Sequence, residues 1–274
     1  MNPATGLHNG VKMDDYRQIE AVNQSVLKLM ERSPMHCRYA VEHPDPASDS
    51  QRIGDATHAA ILEPGRFAAE FIASPKFDRR TKDGKAAAAE WEAANAGKLP
   101  LDPDEFARVE AMGRAVWQCR TAARLLGTPG ECEVTACWHD RPTGLACKGR
   151  FDRRAVVGGH PTIIEVKTAR SAAYGDFARD AAKYGYHIQA AWYVDGHEAA
   201  TGFPARHVFI VVENEPPHGV AVYVLNDAEM QSGRAKYRRM MDEYAACVKS
   251  GVWPGYPDKA QVLVLPHWAL EIEG

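Results

Sequence analysis

The sequence lacks any run of about 18 apolar residues, the length a helix needs to cross a bilayer, so a membrane-spanning protein is not expected. Its first residues, MNPATGLHNGVKMDD, lack the basic-then-apolar layout of a signal peptide, and a cytoplasmic location is the expectation. There is no CxxC pair. The six cysteines (Cys37, Cys119, Cys132, Cys137, Cys147 and Cys247) are scattered, and Cys132 and Cys137 stand five apart, so they read as free thiols rather than a zinc site. No P-loop is present, which argues against ATP-driven chemistry. Positive charge is not in excess either. The net charge of −3 argues against a general nucleic-acid coat protein but leaves room for a local basic channel. There is no internal repeat and no long linker.

What is present is enough to bury one sizeable core: 274 residues, 45% of them hydrophobic. The expectation is one domain over 1–274, mainly helical over 1–130 and sheet-based over 131–274. Asn23 or Ser25 can cap a short helix through Val26, Leu27, Leu29 and Met30, and a second helix follows from Pro34 to Val41. A Pro/Asp/Ser loop spans His43 to Ser50. Further helices are predicted over Ser50–Leu62, Gly65–Ala73, Lys85–Ala96 and Pro103–Leu126, with a polar loop over Phe77–Asp83. From Glu133 the period changes. Strands are predicted over Glu133–His139, Leu145–Val157 and Thr162–Thr168, then a helical region over Tyr174–Ala200. Strands at Arg206–Val212 and Val220–Leu225 precede a helix over Asp227–Lys249, capped by Asn226 and ended by Gly251. The tail, Trp253–Trp268, reads as an irregular segment packing back, with a short strand at Gln261–Leu265.

The strongest chemical signal is the hairpin FDRRAVVGGHPTIIEVKT. Residues two apart on a strand share a face, so Glu165 and Lys167 point one way while Ile164 and Val166 point into the core. Asp152 lies across the Gly158–Gly159 turn, and antiparallel pairing would bring it near Glu165. Two adjacent carboxylates call for a cation between them, and a hard divalent ion such as Mg²⁺ suits oxygen ligands. Lys167 could then orient or deprotonate a water, or stabilise charge growing on a phosphate. E-x-K alone also occurs by chance in surface hairpins. Around this hairpin, Arg141 to Arg170 holds seven basic residues against two acidic ones, a local excess of +5 that could equally be the solvated faces of a hairpin. Gln189 and Tyr193, four apart, would share one helical face near the metal strand, although Tyr193 alone fits a core residue as well. His58 sits among small residues in GDATHAAILEP, which would let its helix approach another element closely. A lone helical His is more often a satisfied core or surface group.

These pieces together resemble the RecE-type (exonuclease VIII-like) branch of the PD-(D/E)XK nucleases, common on phages and prophages. The matching segments are SVLKLMERSPMH, GDATHAAILEPGRF, WHDRPTGLACKGRFDRR, IIEVKT, FARDAAKYGYHIQAAWY and WPGYP, spanning about residues 25–268 in order. The resemblance implies an α/β restriction-endonuclease-like core: a mixed central sheet flanked by helices, with a helical N-terminal portion. It implies that Asp152, Glu165 and His58 ligate metal, that the Val166 backbone carbonyl completes the shell, and that Lys167 is the catalytic lysine. Gln189 and Tyr193 match the family's Q-x-x-x-Y element on the DNA-facing side. Glu133, rather than Glu131, could help hold metal or water, and Lys148 and Arg150 are candidate phosphate contacts. Phe151 stands where the class name has Pro, a common departure.

The activity implied is Mg²⁺-dependent, ATP-independent hydrolysis of linear double-stranded DNA from 5′ to 3′, with Mn²⁺ able to substitute. The 3′ single strand left behind would serve recombination through a single-strand annealing protein, and a homo-oligomeric ring around DNA is plausible. The setting would be a bacterial or phage-infected cell. Another PD-(D/E)XK activity on single strands or special structures, or a silent DNA-binding scaffold, are the rival readings. The iron–sulfur nucleases of the class need several cysteines after the core, where only Cys247 lies. A scaffold would be expected to have lost Asp152, Glu165 or Lys167, and all three are intact.

Overall fold

The structure is a computed structural model that describes residues 4–43 and 49–266. In chain order the elements are β1 (Gly6–His8), α1 (Met13–Gln18), α2 (Gln24–Leu29), α3 (Pro34–Glu42), α4 (Asp49–Leu62) and α5 (Pro64–Glu70). Next come β2 (Phe71–Ala73), α6 (Lys82–Ala94), β3 (Leu99–Leu101), α7 (Pro103–Gln118), α8 (Arg120–Gly127), β4 (Gly130–His139) and β5 (Ala146–Val157). The chain continues through β6 (His160–Ala169), α9 (Tyr174–Tyr184), α10 (Tyr186–Thr201), β7 (Arg206–Glu213), β8 (Val220–Tyr223) and α11 (Asp227–Ser250). No helix of the described residues is long and apolar enough to cross a membrane.

Six strands form one mixed sheet in the order β1-β4-β5-β6-β7-β8. Only β6 and β7 run parallel, and a parallel pair needs a crossover. Here α9 and α10 supply it, which lays α10 across the strands that carry the candidate residues. Gly185, in the left-handed region at φ 69°, turns the chain between these two helices. The even residues Ile164, Val166, Val208, Ile210 and Val212 pack against α4, α7 and α8. Ile163, Phe209 and Val211 face the opposite helical layer of α9, α10 and α11. Strand β6 is thus buried on both sides, as its nearly continuous apolar run requires. The Trp192 indole N–H donates to the Lys148 carbonyl at 3.1 Å, anchoring α10 to β5.

Several expectations need correction. The predicted helix over 103–126 breaks at Cys119, whose extended ψ of 109° separates α7 from α8. The end of the Gly65–Ala73 helix is instead β2, which pairs in parallel with β3 as a separate two-stranded sheet. The strand at Gln261–Leu265 does not form. Val262, Leu263 and Val264 are exposed, with no strand beside them to supply hydrogen bonds. Part of the His43–Ser50 loop and the end of the tail, including Trp268, lie outside the described residues. The arm of β1 and α1 had no sequence signal. Its strand is three residues long and pairs only with β4, about 130 positions away.

Candidate active site

Strand β5 pairs with β6 from Val157–His160 to Arg153–Ile164, and there the ladder stops. In the fork that opens beyond, the Val166 N–H donates to Asp152 Oδ2 at 2.8 Å. A strand residue's N–H and C=O point the same way, so the Val166 carbonyl also faces the fork. The other Asp152 oxygen lies 3.6 Å from His58 Nδ1. His58 is delivered by α4, whose buried Ala56, Ala59 and Ala60 allow close packing, with Ala60 meeting α7 at Gly113.

Glu133 on β4 completes this group. It sits between the pairs Cys132–Arg153 and Val134–Phe151, opposite Asp152, in the left-handed region at φ 55°. That conformation costs a non-glycine residue about 1–3 kcal/mol. Its structural effect is visible in the neighbours. Cys132 and Ala155 pack with the α4 layer, whereas Val134 and Phe151, of the same strand parity, pack with the α10 layer. Both strands therefore change faces at Glu133 and Asp152, and this turns the two carboxylates toward His58. Potential ligand atoms of His58, Glu133 and Asp152 all lie within 4.8 Å of one another. Glu131 is directed elsewhere, to Arg154 at 3.5 Å.

Glu165 and Lys167 share the α10 side of β6. Lys167 Nζ lies 2.9 Å from Glu165 Oε1, and Gln189 Nε2 donates to the same oxygen at 2.8 Å. Gln189 Nε2 also donates to the Tyr193 hydroxyl at 3.2 Å. The second oxygen, Glu165 Oε2, is buried with no hydrogen-bond partner. A buried carboxylate oxygen left so is costly, and a cation is the partner its chemistry calls for. Burial lifts the Asp152 carboxyl to about 7, with a push from Glu133 and against the pull of Lys167. Burial and then Asp152 lift Glu165 to about 7. Burial alone would lower Lys167, but Glu165 and Asp152 outweigh it and hold the ammonium above the usual lysine value. His58 is lowered by burial and by Lys167, and burial raises Tyr193. His58, Glu133, Asp152, Glu165, Gln189 and Tyr193 all line one cleft of about 730 Å³.

The grouped donors, two carboxylates and one imidazole, with the free Glu165 oxygen in the same cleft, fit a divalent cation, the imidazole being the softer ligand. The two expected phosphate contacts line the cleft, and both are engaged within the protein. Lys148 is 4% exposed, and its ammonium donates to the carbonyls of Tyr16 and Ile19 at 2.8 Å and of Arg17 at 3.4 Å. Arg150 points inward, its Nε donating to Glu133 Oε2 at 2.6 Å and its Nη1 to the Val11 carbonyl at 2.7 Å. Both clamp the N-terminal arm, whose Tyr16 ring lies beneath Lys148 Nζ at 4.6 Å. Arg153 and Arg154 are likewise engaged internally, by Cys132 and Thr128 and by His197. Four of the seven basic residues of this segment, Lys148, Arg150, Arg153 and Arg154, therefore hold the fold together. The arm, with Val11, Met13 and Tyr16, walls the cleft and was missed by sequence reasoning.

A family model described as a PDDEXK-like domain of unknown function (DUF3799) matches residues 23–266. The crystal structure of a candidate exonuclease from Eubacterium rectale is similar in fold. It has 14% identity and a TM-score of 0.60, over 94% of this chain and 96% of that one. The protein VC1899 from Vibrio cholerae has 11% identity and a TM-score of 0.24 over 84% of this chain and 57% of that one, too weak to support an argument. No curated protein sequence matches the chain. The mixed six-stranded sheet between helical layers is the PD-(D/E)XK-like core expected from the sequence.

Proposed function

Because this chain belongs to the PDDEXK-like domain family DUF3799, we propose that it is a metal-dependent nuclease that hydrolyses phosphodiester bonds of DNA. The specific form proposed is a RecE-type, ATP-independent exonuclease acting on linear duplex ends from 5′ to 3′. It would leave a 3′ strand for an annealing protein in a phage or bacterial recombination pathway. What supports hydrolysis most is one arrangement: the His58, Glu133 and Asp152 donors within 4.8 Å of one another, with an unpartnered Glu165 oxygen in the same cleft. The order and spacing of the RecE-like motifs, and the exonuclease name carried by the Eubacterium rectale neighbour, support the exonuclease form.

The residues divide the work. Asp152, Glu133, His58 and the free Glu165 oxygen, with the Val166 carbonyl, would hold Mg²⁺ or Mn²⁺. Such an ion, when bound, neutralises phosphate charge and lowers the pKa of water. Lys167, kept as an ammonium by Glu165 and Asp152, can donate to the attacking water or to the oxygen on which charge develops. Gln189 fixes Glu165 by its Oε1 edge, which leaves Oε2 for the cation. Tyr193 accepts a second hydrogen bond from the same Gln189 amide and so helps to hold it in place.

The test is a linear duplex labelled at either the 5′ or the 3′ end, incubated with and without Mg²⁺, with a closed circle as control. Early release of only the 5′ label, dependent on Mg²⁺, is expected. Cleavage of the circle would replace the exonuclease form with an endonuclease, and no metal-dependent cleavage of any DNA would overturn the reading.

A further inference from the structure

The catalytic face of α10 does not stop at Gln189. Tyr186, Gln189 and Tyr193 are spaced three and four apart and share that face. The Tyr186 ring lies 4.8 Å from Lys167 Nζ. It is held between Phe177 and Phe209, with ring centroids 5.9 and 6.1 Å away, which makes it a fixed platform. Its outer neighbour is Tyr184, whose ring is 5.8 Å away across the Gly185 turn and which is 42% exposed as a residue. Two ammonium groups converge on Tyr184: Lys183 Nζ at 5.0 Å and Lys28 Nζ at 5.9 Å from the ring centroid. Lys28 also donates to the Tyr184 carbonyl at 2.8 Å, so it is held at this place. It belongs to α2, whose preceding residues Asn23, Gln24 and Ser25 line the catalytic cleft.

Ring contacts thus lead from Lys167 through Tyr186 to the half-exposed Tyr184, over whose ring two ammonium groups lie. Asp176, on the first turn of α9, pairs with Arg179 at 2.5 Å. Asp180 is within electrostatic reach of Tyr186, and Glu31 of His187. Neither Lys28 nor Lys183 has an ion-pair partner among the described residues. Two ammonium groups brought to one ring repel, and an anion between them relieves the repulsion. A ring for a base and ammonium groups for the phosphates beside it is the recognition chemistry of single-stranded nucleic acid.

We propose that Tyr184, Lys183 and Lys28 form a binding rim for single-stranded DNA, where the strand entering or leaving the catalytic cleft stacks a base on Tyr184. The proposal rests on the nuclease reading of the cleft for its place in the reaction. It stands apart from that reading as a binding property.

The test is the anisotropy of a fluorescein-labelled oligo(dT) bound to the full chain in EDTA, with wild-type cleavage of linear duplex measured in parallel. Tyr184→Ala is expected to weaken oligonucleotide binding about tenfold, and Tyr184→Trp to retain it. Lys28→Ala with Lys183→Ala should flatten the salt dependence of binding. Melting curves check that these surface variants are folded. Wild-type affinity in Tyr184→Ala, or no oligonucleotide binding by the wild type, would overturn the rim. Tyr184-dependent binding without DNA cleavage would keep the rim and remove the nuclease reading, whereas cleavage with Tyr184-independent binding would do the reverse.

Discussion

Asp152 and Val166 are tied across two strands at the point where their ladder ends, the Val166 N–H donating to the Asp152 carboxylate at 2.8 Å. This bond replaces a backbone pair with a side chain. It holds the fork between β5 and β6 open and fixes one edge of the carboxylate. The other oxygen is left to face His58.

Asp152→Asn and Asp152→Ala should both reduce metal-dependent cleavage by a factor of 100 or more, on the order expected when a residue essential to catalysis is lost. Their stabilities should differ. Asn keeps an acceptor for the Val166 N–H, whereas Ala orphans it at a cost of about 1–3 kcal/mol. Denaturant melts of the two variants check this, and equal stability would show that the bond to Val166 contributes nothing.

Lys148→Met should destabilise the fold by about 1.5–3 kcal/mol, because it removes a charged donor from the carbonyls that end α1. It should leave the salt slope of DNA binding unchanged, since that slope counts phosphate contacts. A slope reduced by about one unit would restore Lys148 as a DNA ligand.

Gly149→Ala should slow turnover more than it lowers stability. A Cβ there would lie 3.2 and 3.3 Å from Tyr193 ring carbons, so the ring must give way beside Gln189 and Glu165. About a tenfold drop in kcat is expected for such a displacement, with under about 1 kcal/mol lost from unfolding. Unchanged kcat with a large loss of stability would contradict this account of Tyr193.

His207 should contribute stability that is lost in mild acid. Both its ring nitrogens are buried without partners, and burial, with Lys167, lowers its pKa to about 3. The unfolded state takes up this proton near pH 6.5 and the folded state only near 3. The contribution of His207 is therefore full above about 6.5 and declines as pH falls toward 3, by up to about 1.4 kcal/mol per unit, while Asp152 and Glu165, both raised to about 7, contribute in the opposite direction below that pH. His207→Leu should flatten that decline in melts between pH 7 and 4. An unaltered slope would assign it to other groups.

Much of the centre was legible because its signals are local. The period of two set the side of Glu165 and Lys167, and the Gly158–Gly159 hairpin brought Asp152 alongside. The helical spacing of Gln189 and Tyr193 held, because α10 is unbroken from Tyr186 onward. What sequence missed depends on distant partners. The direction of Glu133 was not legible, because strand alternation cannot show a left-handed residue that makes two strands change faces. Lys148 and Arg150 read as phosphate contacts because a charge count does not reveal where an ammonium or guanidinium ends. The carbonyls and carboxylate that receive them belong to Val11, Tyr16, Ile19 and Glu133. The break at Cys119 lies inside a continuous apolar pattern with no Gly or Pro to mark it.

The central claim is that His58, Glu133, Asp152 and Glu165 share a divalent cation, and calorimetric titration with Mn²⁺ tests it most directly. Glu133→Gln, Asp152→Asn and Glu165→Gln should each weaken binding at least about tenfold, in line with the loss of a charged ligand, while Glu131→Gln binds as the wild type does. Equal effects at Glu131 and Glu133, or no Mn²⁺ bound by the wild type, would contradict it.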